Sequence, residues 1–277
     1  MYENYFSRAN RGLIVFLIDQ SRSMSAIWSN GLSMADNVAN SINLILNHIV
    51  LSWTWSDGCV RDKATITVIG YGGKDNYNAE TLFCDSIDKI NDAYPRTPAV
   101  IATKEGTVTI NVFQAVKSTA GYGTPMASAF NLAKDVVAAW IQTHSGINDP
   151  VPVVINISDG MPTDSEADVR KYAHEILNMS IPDGTPLLFN VHISAENPSG
   201  KEVTFPIDGQ TMSDSMCQLL YDISSKATYD FIKHIPASWL NIQPDCKLFM
   251  SNVQRVEKLL DLLYDLCIND ERATGLK

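Results

Sequence analysis

Cysteine is scarce in this 277-residue chain, and the five present (Cys59, Cys84, Cys217, Cys246 and Cys267) are widely spaced and odd in number. No Cys-x-x-Cys pair occurs, which excludes the common zinc and redox-dithiol spacings. Reduced thiols and a cytoplasmic location are therefore expected. Histidine is as sparse: His48, His144, His174, His192 and His234 lie apart without a His-x-x-x-His pair, so each reads as a surface or locally bonded residue rather than a ligand. Lys and Arg form no run and the formal net charge is -10, so binding to nucleic acid through clustered cations that release counterions is not expected. Long apolar runs are missing too. The stretch from Leu13 to Ile18 is stopped by Asp19, far short of the roughly 20 residues that span a bilayer, so no membrane association is expected. No basic segment and cleavage site accompany it as in a signal peptide.

What is present is ordinary globular composition, 45% hydrophobic and 19% charged, enough to bury a substantial core. Ala35, Val38, Ile42, Ile45 and Ile49 recur at helical spacing after a first apolar strand. A second strand is expected from Ala64 to Tyr71, ending in Gly70-Tyr71-Gly72-Gly73-Lys74. That glycine-rich end fails as a phosphate loop, because Val68 stands where an earlier Gly is required and Asp75 where Ser or Thr should follow the Lys. The segment 76–104 reads as irregular, with a short helix near Ile87, followed by a short strand from Thr107 to Val112 at a sheet edge.

The run from Val151 to Ile157 reads as a strand buried on both faces, and Leu187 to Ile193 as another, each followed by helical patterning. A helix is expected from Asp214 to about Lys226, and a short strand from Lys247 to Met250. A capping box of Ser251 with Gln254 then opens an amphipathic helix through Leu259, Leu262, Leu263 and Leu266. Strands alternating with helices predict an α/β fold, a doubly wound, mostly parallel central sheet flanked by helices. With neither repeat nor linker in view, a single domain over 1–277 is expected, carrying insertions at about 76–104 and 196–245.

Three polar clusters interrupt this pattern where strands end. Asp19-Gln20-Ser21-Arg22-Ser23 follows the first strand, and the alternate spacing of Asp19, Ser21 and Ser23 puts three hard oxygens on one side of the chain, as a magnesium-like ion requires. Such residues also cap helices and make turns, so two readings stand. In Gly123-Thr124-Pro125-Met126, Thr124 as N-cap with Pro125 at the first helical position suffices to start a helix. Asp159-Gly160 serves as a turn ahead of a capping box in Thr163-Asp164-Ser165-Glu166. In an open α/β sheet, however, ligands bind outside the carboxyl ends of the strands, where all three clusters fall.

Taken together, Asp19-x-Ser21-x-Ser23, Thr124 and Asp159-Gly160 resemble, in order and spacing, the metal-ion-dependent adhesion site of the von Willebrand factor A (vWA) family, over about 12–270. The resemblance implies a Rossmann-like vWA fold in which the hydroxyls of Ser21, Ser23 and Thr124 bind Mg²⁺ or Mn²⁺, with Asp19 and Asp159 acting directly or through water. It also implies an exchangeable coordination position, open to an Asp or Glu of a protein partner. The family often has Gly where Arg22 stands. With no secretion signal or disulfide framework in view, bacterial cytosolic members of the tellurium-resistance kind are the nearer match. A non-enzymatic binding module is thus expected. The alternative is a metal-assisted phosphohydrolase or other hydrolase using Asp19, against which stand Ser21 where a haloacid-dehalogenase pattern has Asp, and the lack of a Gly-x-Ser-x-Gly elbow.

Overall fold

The computed structural model describes residues 2–28, 30–103, 106–195, 202–207, 212, 215–233 and 242–253. Strand β1 (Gly12–Asp19) leads through a 3-10 turn (Arg22–Ser25) to helix α1 (Met34–Trp53). Strands β2 (Ala64–Tyr71) and β3 (Ala79–Ser86), helix α2 (Ile87–Ala93), and strands β4 (Arg96–Thr103) and β5 (Gly106–Phe113) follow. Then come α3 (Met126–Thr143), β6 (Val153–Ser158), α4 (Glu166–Leu177), β7 (Leu187–Ile193), β8 (Val203–Thr204), α5 (Ser215–Ile223), α6 (Tyr229–Ile232) and β9 (Phe249–Val253). Seven strands form the main sheet in the order β3-β2-β1-β6-β7-β9-β8. Its five middle strands are parallel, and β3 and β8 run antiparallel at the two edges. The mostly parallel α/β sheet expected from the sequence is the observed one.

The period of two along β1 divides the core. Ile14, Phe16 and Ile18 pack with Val38, Ile42, Ile45 and Ile49 of α1 on one face. Leu13, Val15 and Leu17 meet Phe130 and Val137 of α3, Val169 of α4 and Leu219 of α5 on the other. All eight residues of β1 are buried, as a strand sandwiched between helical layers requires. Burying each such Leu or Ile side chain contributes roughly 1.5–3 kcal/mol. Helix α1 begins at a capping box that the sequence reading passed over: the Ser33 hydroxyl accepts from the Asp36 amide, and the Asp36 carboxylate accepts from the Ser33 amide.

On the face shared with α3 and α5, a polar chain links residues of β2, β6 and β7, passing over β1. The Tyr71 hydroxyl donates to Asn156 Oδ1 (2.8 Å), Asn156 Nδ2 to Asn190 Oδ1 (3.0 Å), and Asn190 Nδ2 to Ser224 Oγ (2.9 Å), whose hydroxyl donates to the Leu220 carbonyl. All four residues are buried and satisfied within the chain, which is the condition for tolerating such groups in a core.

Several expectations are corrected. The segment 76–104 is not irregular: Ala79–Ser86 pairs antiparallel with β2 because its half-buried apolar side chains, Phe83 above all, cover an otherwise open edge. The strand expected over Thr107–Val112 lies within β5, but it pairs only with β4 in a separate two-stranded sheet, not at the edge of the main one. That hairpin is held at its base. Phe113 is buried beneath the Arg96 guanidinium at 4.0 Å, and Asn43 of α1 accepts from the Ala115 and Val116 amides. Helix α3 starts at Met126 with Pro125 as its N-cap, so Thr124 is not the cap; Asp164 instead accepts from the Ser128 amide in the first turn. The N-cap of α4 is Ser165, whose hydroxyl accepts from the Asp168 amide, and Thr163 does not cap it. The last strand, expected over Lys247–Met250, is β9 at Phe249–Val253, so Ser251 is a buried strand residue and does not cap a helix. Most of 196–214, and everything after Val253 where a helix was expected, lie outside the described residues.

Candidate metal centre

From β1 the chain passes to β2 on one side and returns later to β6 on the other, so the carboxyl ends of β1 and β6 flank the crevice where strand order reverses. Asp19 is the last residue of β1, Ser158 the last of β6, and Asp159 follows at once. Asp19 is buried. Its Oδ1 accepts from the Ser21 amide at 2.8 Å and its Oδ2 from the Ser158 hydroxyl at 2.6 Å. The Ser21 and Ser23 hydroxyls lie 3.0 Å apart, and Ser23 donates to Asp159 Oδ1 at 2.8 Å. Thr124 completes the group. The point where a Cβ on Gly160 would stand is 3.6 Å from Ser23 Oγ and 3.8 Å from Thr124 Oγ1. All five residues singled out in the sequence thus converge on one crevice.

Three loops are knitted together to hold them there. The Gln20 amide donates to the Tyr71 carbonyl (2.8 Å), Gly121 to Gln20 (2.8 Å), Tyr122 to Gly72 (2.7 Å) and Arg22 to Tyr122 (2.8 Å). Gly72 is at φ +82°, and an added Cβ would stand 2.1 Å from the Gly123 carbonyl oxygen, so only glycine lets these loops close. The amide of Gln20 fills the space a side chain at Gly70 or Gly73 would take. The glycine-rich end of β2 is therefore a packing surface, which accounts for its failure as a phosphate loop. Thr124 is fixed by its own amide, which donates to Thr163 Oγ1 at 2.9 Å, and its neighbour Gly123 by donation to Asn76 Oδ1 at 2.9 Å.

Electrostatically the centre is short of positive charge. Burial, and then the facing Asp159 carboxylate, push the Asp19 carboxyl up to about 7, against the hydrogen bonds from Ser158 and Ser21. Asp159 is raised by burial too, against its bond from Ser23. Burial, with Asp19 second, lifts the Tyr71 phenol well above its usual range. Arg22, exposed on the 3-10 turn, is not among the groups that lower Asp19. Two neighbouring carboxylates with three hydroxyls form an oxygen-only set that fits a hard divalent cation. Among the described residues no group of three or more His, Cys, Asp or Glu side chains comes together, so hydroxyls rather than further acids complete this set.

Sequence reasoning missed Ser158, Asn76 and Thr163, which orient the donors. Ser158 was within view, adjacent to Asp159, but its partner Asp19 is 139 residues away and left no local signal.

The fold and this crevice define an open α/β sheet with a polar centre at its topological switch point. No protein-family model matches the chain, and no curated protein does. Solved structures similar to it include the pilus adhesin SpaC from Lactobacillus rhamnosus GG, with 12% identity over 95% of this chain and a TM-score of 0.50. They also include VWA domains: the ArnB paralog VWA2 from Sulfolobus acidocaldarius (15% identity over 92%, TM-score 0.42) and the SpRpn10 VWA domain (6% over 78%, TM-score 0.37). The likeness is one of fold. The chain spans 31% of the SpaC structure and 44% of VWA2. Among the described residues no helix is long and apolar enough to cross a membrane.

Proposed function

We propose that this chain is a vWA-type protein-binding module, not an enzyme, in which Asp19, Ser21, Ser23, Thr124 and Asp159 hold Mg²⁺ or Mn²⁺ and an Asp or Glu of a protein partner completes the ion's shell. The observation that carries this reading is the convergence of those five oxygen donors around buried Asp19 and half-buried Asp159, whose charges no cationic side chain among the described residues offsets. A bound divalent cation would be the largest local charge, so a carboxylate could approach even a protein of net charge -10 at this one point. The free thiols of exposed Cys59 and Cys84 support a reducing, cytoplasmic setting.

The test is affinity capture from native cells with and without EDTA, beside thermal melts of the purified protein with added Mg²⁺. Mg²⁺ should raise the melting temperature of the wild type and not of Asp19→Ala, since a ligand selective for the native state stabilises it by mass action. A partner retained equally in EDTA and by Asp19→Ala sinks the proposal. Turnover of a phosphate ester with Mn²⁺, abolished in Asp19→Asn, would replace binding by hydrolysis.

A further inference from the structure

A groove of about 440 Å³ opens directly beside the carboxylate pair. Ser23 and Asp159 form one part of its lining, and Ala26, Met34, Ile193 and Ala195 supply an apolar part. The walls are built rather than loose. The Met34 amide donates to the Ala26 carbonyl at 2.9 Å, and the Trp28 indole to the Ser194 carbonyl at 2.9 Å, tying the loop after β1 to the end of β7. That loop carries exposed Ile27 and Leu32, and Met161, two residues beyond Asp159, is exposed as well. Single exposed apolar residues are unremarkable, but these three lie on the same segments that supply Ala26, Met34 and Asp159 to the groove.

Because Ser23 and Asp159 belong both to the donor set and to the groove, the residues beside a carboxylate brought to this centre come within reach of the groove. We propose that the partner segment presents, next to its Asp or Glu, an aliphatic side chain of leucine or isoleucine size that fills this groove. The inference rests on the metal-dependent reading above and adds a sequence preference to it. Charge complementarity anchors one end of the segment, and apolar burial the other.

The experiment is fluorescence anisotropy with synthetic decapeptides holding one central Asp, flanked on both sides by Leu, by Ser, or by Leu with the Asp replaced by Asn, each in Mg²⁺ and in EDTA. The Leu-flanked Asp peptide should bind in Mg²⁺ about tenfold more tightly than the Ser-flanked one, as partial burial of a leucine side chain gives. Its Asn analogue should lose that binding. Ala195→Trp, which occupies the groove, should erase the leucine preference while the Mg²⁺-induced rise in melting temperature persists. Should that variant fail to fold, Ser25→Trp at an exposed lining position takes its place. Equal Mg²⁺-dependent affinity for the Leu and Ser peptides overturns the groove proposal and leaves the metal reading standing. A leucine preference that survives the filled groove also overturns it. No Mg²⁺-dependent binding of any acidic peptide overturns both.

Discussion

Asp19 holds opposing demands in one side chain. Burial beside Asp159 lifts its carboxyl from an ordinary 3.8 to about 7, while Ser158 and Ser21 donate to it. In metal-free protein the native state therefore keeps a proton that the unfolded state has already lost. Stability should fall as pH rises from about 4 to about 7, with the full cost present above that window. Asp19→Asn removes the ionisation, so in EDTA it should melt several degrees above wild type at pH 8, and the Mg²⁺ response should vanish. Thermal melts across this range in EDTA check it, and a variant that melts below wild type at pH 8 would mean that the hydrogen bonds outweigh the buried charge. Asp19, Ser21, Ser23 and Asp159 were legible because each is a short oxygen-bearing residue at or just past the end of an apolar strand; Thr124, which stands before α3 and well past β5, was legible only by its order and spacing with the others. Ser158 and Thr163 were not. Their work is done on Asp19 and on Thr124, 139 and 39 residues away, and spacing along the chain carries no trace of it.

Among the elements, the three loops over the crevice depend on Gly72. Placing a Cβ there means a 2.1 Å approach to the Gly123 carbonyl oxygen and 3.1 Å to the backbone of Ser21, at φ +82°. Gly72→Ala should cost at least 1–3 kcal/mol through strain at that φ, separate the loop after β1 from the one that carries Thr124, and weaken Mg²⁺ binding more than it lowers the melting temperature. Calorimetric Mg²⁺ titration beside thermal melts tests this, and unchanged affinity would show that the loops do not depend on each other. Strands β1, β2 and β7 could be read directly, since buried parallel strands are near-continuous apolar runs. Strands β3 and β4 escaped, β3 because a half-exposed edge strand mixes polar and apolar residues without a clean alternation and β4 because Pro98 sits in it; β5 was read as a strand, but not its pairing with β4. The cap positions at α3 and α4 were placed wrongly for a related reason. Thr124, Thr163 and Asp164 bond across loops instead of to their own helices.

Across the whole molecule, 31 acidic side chains face 21 basic ones, and the ion pairs among the described residues are mostly exposed and thus contribute little each. Self-repulsion should dominate the salt response. In EDTA, raising NaCl from about 0.05 to about 0.5 M should increase the melting temperature by a few degrees as the screening length shrinks. A decrease would show that surface pairing prevails.

The chain of Tyr71, Asn156, Asn190 and Ser224 has a consequence for how the sheet comes to be aligned. Asn156 and Asn190 face each other in register between β6 and β7, and each satisfies the next group along. If β6 slipped by one residue against β7, Asn156 would turn to the α1 face, into hydrocarbon, and Tyr71 and Asn190 would lose their partner. With roughly 1–3 kcal/mol lost per stranded group, the misaligned sheet is penalised before the helices pack. The four side chains thus act as a check on strand alignment, one that purely apolar strands could not provide.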